Sequence, residues 1–350
     1  MKRVVKKGKE IIVGHVGICI LLLCIVPFLF VSHRIFRGST WNDMKQGVVD
    51  PETKDLIIVG FSQLGSESGW RTTHTTSVQN ALTKDAGYFL IFSNARQMQE
   101  NQIKAIRSFI SQRVDYIIFA PVIEDGWDTV LQEAKDAGIP VIAIDRMVNV
   151  EDDSLYTAWI GTDALEEGKK AGKWLEQYLG ENKKEDEAVN IVVLQGTIGS
   201  TAEIGRTKGF EEIAGQHNNW RILESVSGEF TANKGKEVMQ KILYRYPDID
   251  VLVSQNDDMT MGAIEAMQEA GVSFGERGQV TVISFDATRD ALELVAEGKI
   301  NVDIECNPIQ GAYIDEIIQK LENGESIEKI YVVEEEVVTK ENVADFLENR

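Results

Sequence analysis

Residues 88–120 read YFLIFSNARQMQENQIKAIRSFISQRVDYIIFA. Two runs rich in aromatic and β-branched residues, YFLIF (88–92) and YIIFA (116–120), enclose Gln99–Ser111, where Ile103, Ile106 and Ile110 recur at helical spacing. The runs have the composition of strands and the middle has the period of an amphipathic helix. The strands show almost no polar alternation, which fits parallel strands buried on both faces. The same pattern extends outward in both directions. LIIVGF (56–61) and VIAI (141–144) flank this unit, and further strands are predicted at 156–160, 189–194, 222–226, 251–254, 280–284 and 301–304. Strands alternating with helices over this length give an α/β chain, and ten strands exceed one typical sheet. The 350 residues also suggest two domains. The predicted fold class is therefore two doubly wound, Rossmann-like parallel-sheet lobes.

In open parallel sheets, ligands bind beyond the carboxyl ends of the strands. Those positions are polar in a repeating way. Ser62-Gln63 follow the first strand, then Glu67, Trp70 and Arg71; Asp145-Arg146 follow the fourth. QGTIGS and then Arg206 follow the 189–194 strand, Asn256-Asp257-Asp258 the 251–254 strand, and Asp286 the VISF strand. Each taken singly reads equally as a helix cap, a turn or a solvated charge. Five strand ends carrying such groups together point to a ligand. Arg and carboxylate groups offer paired hydrogen bonds to vicinal hydroxyls, and Trp70 offers a flat apolar face for a sugar ring.

Signatures of other chemistry are missing. The loop Gly60–Gly65 begins like a phosphate-binding loop, but Ser66-Glu67 stand where Lys and Ser/Thr are required. No GxGxxG follows the first strand and no GxSxG elbow occurs. His15, His33, His74 and His217 are scattered, and Cys306 is the single cysteine after the N-terminal region, so neither a metal nor a cofactor is expected. Asp145 and Asp286 are an acid–base pair only in principle, and the chain is not expected to be an enzyme.

Charge is unevenly placed. Of the 36 Lys/Arg and 56 Asp/Glu, residues 1–40 hold seven bases and one acid, leaving 29 bases against 55 acids and a net −26 beyond them. So acidic a body repels phosphate backbones, which excludes nucleic acid as a partner. Residues 1–10 form a basic cytoplasmic flank to the almost unbroken apolar run 11–31, whose length of about 31 Å matches a bilayer core of about 30 Å. A transmembrane anchor is expected there; a cleaved signal is the alternative, although no small-residue cleavage site follows. Five bases before the run and two shortly after it place the N-terminus in the cytoplasm and the body outside. The polar 32–55 reads as a stalk.

The body resembles the periplasmic sugar-binding proteins of ribose/galactose type, the type I receptor components of ABC transporters. The resemblance runs over roughly 56–335. Its carriers are GFSQLGSESGWR (60–71), QENQIKAIRSFISQRVDYIIFAPV (99–122), AGIPVIAIDR (137–146), GRTKGF (205–210), NDDMTMGAIEAMQEAG (256–271) and SFD (284–286). It is closest to the galactofuranose-binding branch. Repressors of lactose type share the fold but begin with a DNA-binding helix-turn-helix, which the apolar run replaces here.

The resemblance implies roles. Trp70, Arg71, Asp145 and Arg146 would contact a monosaccharide from one lobe and Arg206, Asn256 and Asp286 from the other, with Gln63 and Glu67 as further candidates. It implies an N-terminal lobe of 56–160 plus 308–332, a C-terminal lobe of 161–306 plus 333–350, and a three-strand hinge between them. One departure is visible. Cys306 stands where relatives carry a polar, sugar-contacting hinge residue, and Asn307 is the nearest substitute. Residues 340–350 are predicted to add a short amphipathic helix. The implied partners are a sugar and an ABC permease, or alternatively a sensor kinase or chemoreceptor reading the closed form. The body is expected to be monomeric.

Overall fold

The computed structural model describes residues 56–182 and 187–349. The basic flank, the apolar run and the stalk therefore lie outside the described residues; among the described residues no helix is long and apolar enough to cross a membrane.

The first part of the chain alternates β1 (Ile57–Gln63), α1 (Gly69–Ala81), β2 (Tyr88–Asn94), α2 (Gln99–Gln112), β3 (Tyr116–Phe119), α3 (Asp128–Asp136), β4 (Val141–Asp145) and β5 (Ala158–Gly161). The second part repeats the alternation: α4 (Ala164–Glu181), β6 (Val189–Gln195), α5 (Thr201–Ala214), β7 (Trp220–Ser227), α6 (Ala232–Arg245), β8 (Val251–Ser254), α7 (Asp257–Ala270), β9 (Thr281–Asp286), α8 (Arg289–Ala296) and β10 (Val302–Glu305). The end of the chain adds α9 (Gly311–Glu322), β11 (Ile330–Val332), β12 (Val337–Val338) and α10 (Val343–Asn349).

Two six-stranded sheets result, in the orders β11-β5-β4-β3-β1-β2 and β12-β10-β9-β8-β6-β7. Both follow the doubly wound 2-1-3-4-5 order, whose strand order reverses beside the first strand and opens a crevice there. All pairings are parallel except that of β12 with β10. The α/β two-lobe architecture with parallel sheets is thus present as predicted.

The unbroken apolar strands have the expected cause. Within β3, Ile118 packs with Val59 and Phe61 on one face of the first sheet. Its neighbours Ile117 and Phe119 pack with Phe109 and Trp127 on the other. The two-residue period of a strand feeds two cores, so neither face tolerates a polar residue. The second sheet is sandwiched in the same way, with Val192 and Leu252 on one side and Ile191 and Val253 on the other.

Some predicted boundaries shift. The 156–160 segment contributes only Ala158–Gly161, because Asp153–Leu155 form a 3-10 turn capped by Asp152 and hold Tyr156 outside the strand. The edge strands β11 and β12, of three and two residues, are too short to have been predicted. The C-terminal helix is α10.

Hydrogen bonds link segments on opposite sides of the crevice. Gly69 N donates to Asp258 Oδ2 (3.0 Å), Glu124 N to Gly199 O (3.0 Å), Met147 N to Thr201 Oγ1 (2.9 Å) and the Trp70 indole to Cys306 O (2.6 Å). The lobes stand closed over the space between them.

Candidate functional site

The space between the sheets is a cavity of about 430 Å³ at the carboxyl ends of their strands. Of the nine residues predicted from strand ends, Glu67, Trp70, Arg71, Asp145, Arg146, Arg206, Asn256 and Asp286 line it. Gln63 does not. It is fully buried behind the wall, where Nε2 reaches His74 Nδ1 (3.1 Å) and Thr75 Oγ1 (2.9 Å) and Oε1 accepts from Leu64 N (3.0 Å). Its strand-end position is as predicted, but its side chain is spent on positioning α1.

Local sequence places these groups. Ser68, Ser200 and Asn256 cap α1, α5 and α7 by accepting from the backbone N–H of Arg71, Glu203 and Met259. The caps fix the first turns that carry Trp70 and Arg71 on α1 and lead to Arg206 on α5. Asp145 and Asp286 end β4 and β9 with φ of 61° and 111°. Backbone in that region is uncommon outside glycine, Asp being among the more tolerant residues, and it turns each strand end sharply.

The wall from the first sheet is an ionic chain. Arg71 Nη1 lies 2.6 Å from Asp145 Oδ2 and its Nε 3.0 Å from Glu67 Oε1, while the guanidinium stacks 4.7 Å from the Trp70 ring centre. Burial alone would raise the Asp145 carboxyl, but the adjacent Arg71 and Arg146 charges hold it below its ordinary range. Arg146 Nη1 donates to Val122 O (2.6 Å), and burial together with the nearby Arg71 charge brings its pKa down to about 10.

Behind this wall runs a second chain. Burial and the Arg71 charge push His74 down to about 4, so it is neutral. With Gln63 donating to its Nδ1, the neutral ring donates from Nε2 to Gln310 Oε1 (3.2 Å), which also accepts from Asp145 N (3.2 Å). Gln310 thus ties the hinge to the backbone of the strand end at Asp145.

The opposite wall centres on Arg206, 3% exposed. Its Nε donates to Glu167 Oε2 (2.6 Å), Nη1 to Gln255 O, and Nη2 to Asp286 Oδ1 (3.2 Å). Burial lowers its pKa, but the Glu167 and Asp286 charges outweigh that and hold it well above the ordinary value. Asn256 Nδ2 donates to Phe230 O (3.3 Å). The Phe230 ring lines the cavity 5.3 Å from the Arg146 guanidinium on the facing wall. Sequence reasoning missed Phe230. Its signal was available, an aromatic residue in the turn after a strand, and a φ of 59° at that position brings it inward. A Cβ at Gly196 would overlap its Cζ. Gly196→Ala is therefore expected to displace the ring and weaken ligand affinity about tenfold, and Phe230→Ala should do the same. Titration calorimetry on both variants checks this, and an unchanged Kd for either rejects Phe230 as part of the wall.

The hinge departs from the sequence expectation. Asn307 does not replace the missing polar contact; its Oδ1 accepts from Ile309 N (2.9 Å), which turns the chain into α9. Cys306 lines the cavity, with its carbonyl on the Trp70 indole and its Sγ 3.6 Å from Thr162 Oγ1. Glu167, Cys306 and Glu335 also bring one ligand-type atom each within 4.8 Å of one another, a juxtaposition that sequence spacing does not show. Arg206 already neutralises Glu167 there, and a proton on Glu335 satisfies the rest. Burial and the neighbouring Glu167 push the Glu335 carboxyl up to about 11.

The folded chain therefore keeps a proton on Glu335 that the unfolded chain loses above its ordinary pKa of 4.5. Stability tied to this group is present at acid pH and is lost as pH rises between those values. Glu335→Gln, whose amide imitates the protonated acid, is expected to melt higher than wild type at pH 8 with the difference shrinking towards pH 5. Parallel melting curves across that range would reject the assignment.

Two parallel-sheet lobes closed on a cleft walled by paired Arg and Asp groups and two aromatic rings define a bilobal binding protein for a small polyhydroxylated ligand. A model of the periplasmic binding protein domain matches residues 59–326, and the chain belongs to that family. It is 38% identical to the galactofuranose-binding protein YtfQ of Escherichia coli, over 84% of this chain and 91% of that protein. Among solved structures, a Mycobacterium smegmatis protein in complex with β-D-fucofuranose is 42% identical with a TM-score of 0.80, covering 84% of this chain and 95% of that one. The binding-protein component of the arabinose ABC transporter of Shewanella sp. ANA-3, bound to L-arabinofuranose, is 41% identical with a TM-score of 0.78 and the same coverage.

Proposed function

We infer that this chain is an extracytoplasmic receptor that closes on a sugar in its furanose form and delivers it to an ABC importer. One observation carries the reading: eight strand-end residues chosen for their chemistry converge on a single interlobe cavity. Trp70 and Phe230 supply ring faces. Asp145, Arg146, Arg206, Asn256 and Asp286 supply hydrogen-bond partners for hydroxyls, and Arg71 and Glu67 hold them in place. The ring form comes from the relatives, one named for galactofuranose and two solved with fucofuranose and arabinofuranose bound. Those relatives are binding proteins, and a sensing role finds no support among them.

The lobes are taken as 56–160 plus 308–332 and 161–306 plus 333–350, moving about the three segments that join them. A ligand touching both walls favours the closed form by its differential affinity for it, and closure creates the surface an importer reads. Residues 11–31 anchor the body at the outer face of the membrane, with 1–10 inside and 32–55 as the tether. No catalytic step is assigned to the cleft.

Calorimetric titration of the purified full chain with galactofuranose, arabinofuranose and ribose tests the reading. A micromolar Kd, about −8 kcal/mol, is expected for a furanose. No heat from any of these sugars would overturn it.

A further inference from the structure

We propose that the cleft continues past the site for one sugar into a second subsite, built on Trp159, Leu165, Ile330 and Val332, which takes the second ring of a furanose disaccharide. The proposal rests on the furanose reading of the cleft and extends it from monosaccharides to glycosides.

The cavity is continuous from Arg146 and Asp286 to these four residues. Trp159 lies in β5 and is 6% exposed, yet its indole Nε1 is buried with no hydrogen-bond partner among the described residues. A buried donor without an acceptor is costly in a native protein, and a ligand oxygen is one way to satisfy it. Gly161 stands two residues on, on the same face of the strand. A Cβ there would overlap Trp159 Cζ2 and come 2.8 Å from Cε2, so the edge of the indole that carries Nε1 lies over a bare α-carbon. That edge points along β5 to its carboxyl end, where Thr162 and Asp163 continue the cavity wall.

The neighbouring edge strand completes the surface. Ile330 pairs with Trp159 and Val332 with Gly161, so their side chains emerge on the face that carries the indole. They are 42% and 54% exposed, so their aliphatic surface is open to a ligand in the cavity they line. A flat aromatic ring offering one N–H, flanked by aliphatic groups and with Asp163 and Lys208 also lining the cavity, matches a sugar: apolar C–H groups on the face of the ring and hydroxyl or glycosidic oxygens at its edge. An alkyl chain would leave the indole N–H unsatisfied.

The experiment is calorimetric titration of the full chain with galactofuranose and with galactofuranosyl disaccharides of both anomeric linkages. At least one disaccharide is expected to bind ten or more times tighter than the monosaccharide. Trp159→Phe keeps the ring, loses the donor and should erase most of that gain while leaving monosaccharide Kd within about twofold. Should that variant fail to fold, Val332→Glu on the exposed edge strand serves instead and should bring the disaccharide down to the monosaccharide value. Disaccharides that bind no tighter than the monosaccharide, or a gain that survives both variants, would overturn the subsite while leaving the furanose reading intact. Absence of binding by all these sugars would instead overturn the furanose reading, and the subsite with it.

Discussion

Arg206→Ala is expected to lose sugar binding by at least a hundredfold and to destabilise the folded body by about 3–5 kcal/mol, the usual cost of removing one partner from a buried ionic set. Its guanidinium satisfies Glu167, the Gln255 carbonyl and Asp286 at once, from a position 3% exposed. Without it two carboxylates face each other in a buried wall. Burial raises the Asp286 carboxyl above its ordinary range, and loss of the Arg206 charge should raise it further. The sequence resemblance implies only a ligand-contacting role for Arg206; the buried network shows that it serves fold and site together. Arg206→Lys separates the two roles. It retains the charge, loses the planar fork, and should recover part of the stability but little affinity. Urea unfolding and calorimetry read both effects, and wild-type affinity in Arg206→Ala would remove this residue from the site.

Trp70→Ala is expected to cost about 3–5 kcal/mol of stability, as large-to-small substitutions of buried tryptophan do, and to abolish detectable binding. The ring stacks on His74 with centroids 5.0 Å apart, supports the Arg71 guanidinium and lines the cavity, while its indole N–H reaches Cys306 O across the lobes. Trp70→Phe keeps the stacked face and removes only the cross-lobe bond. It should fold nearly as well as wild type, bind more weakly, and show a more open form by small-angle scattering. If Trp70→Phe binds and closes like wild type, the indole bond is not part of closure.

What the sequence revealed and what it hid follow from range. The strands were legible because residues such as Ile117, Ile118 and Phe119 each face an apolar core, so burial is written residue by residue. The strand-end groups were legible because the parallel-sheet rule turns a position along the chain into a position in space. Gln63 shows the limit of that rule: it names the strand end but not which way a side chain turns, and here His74 and Thr75 claim the amide. Phe230 left only a local signal, an aromatic in the turn after a strand, because its place in the wall also depends on Gly196, in another segment, leaving room for the ring. The contacts among Glu167, Cys306 and Glu335 were hidden because three separate segments meet there, a fact of topology with no local pattern. Strand β11 was hidden because three residues are too few to display a period.

The order of the first sheet bears on how the chain comes into being. β11 closes the edge of β5, yet 168 residues separate the end of one from the start of the other, and the whole second sheet except β12 is encoded in between. A chain emerging end-first from a translocon would therefore present β5 with a bare edge until nearly all of the protein had followed. No contiguous fragment supplies a finished first lobe, and truncation before residue 330 would strip a strand from the lobe that began folding first. Chaperone protection during export would be needed most at that unfinished edge.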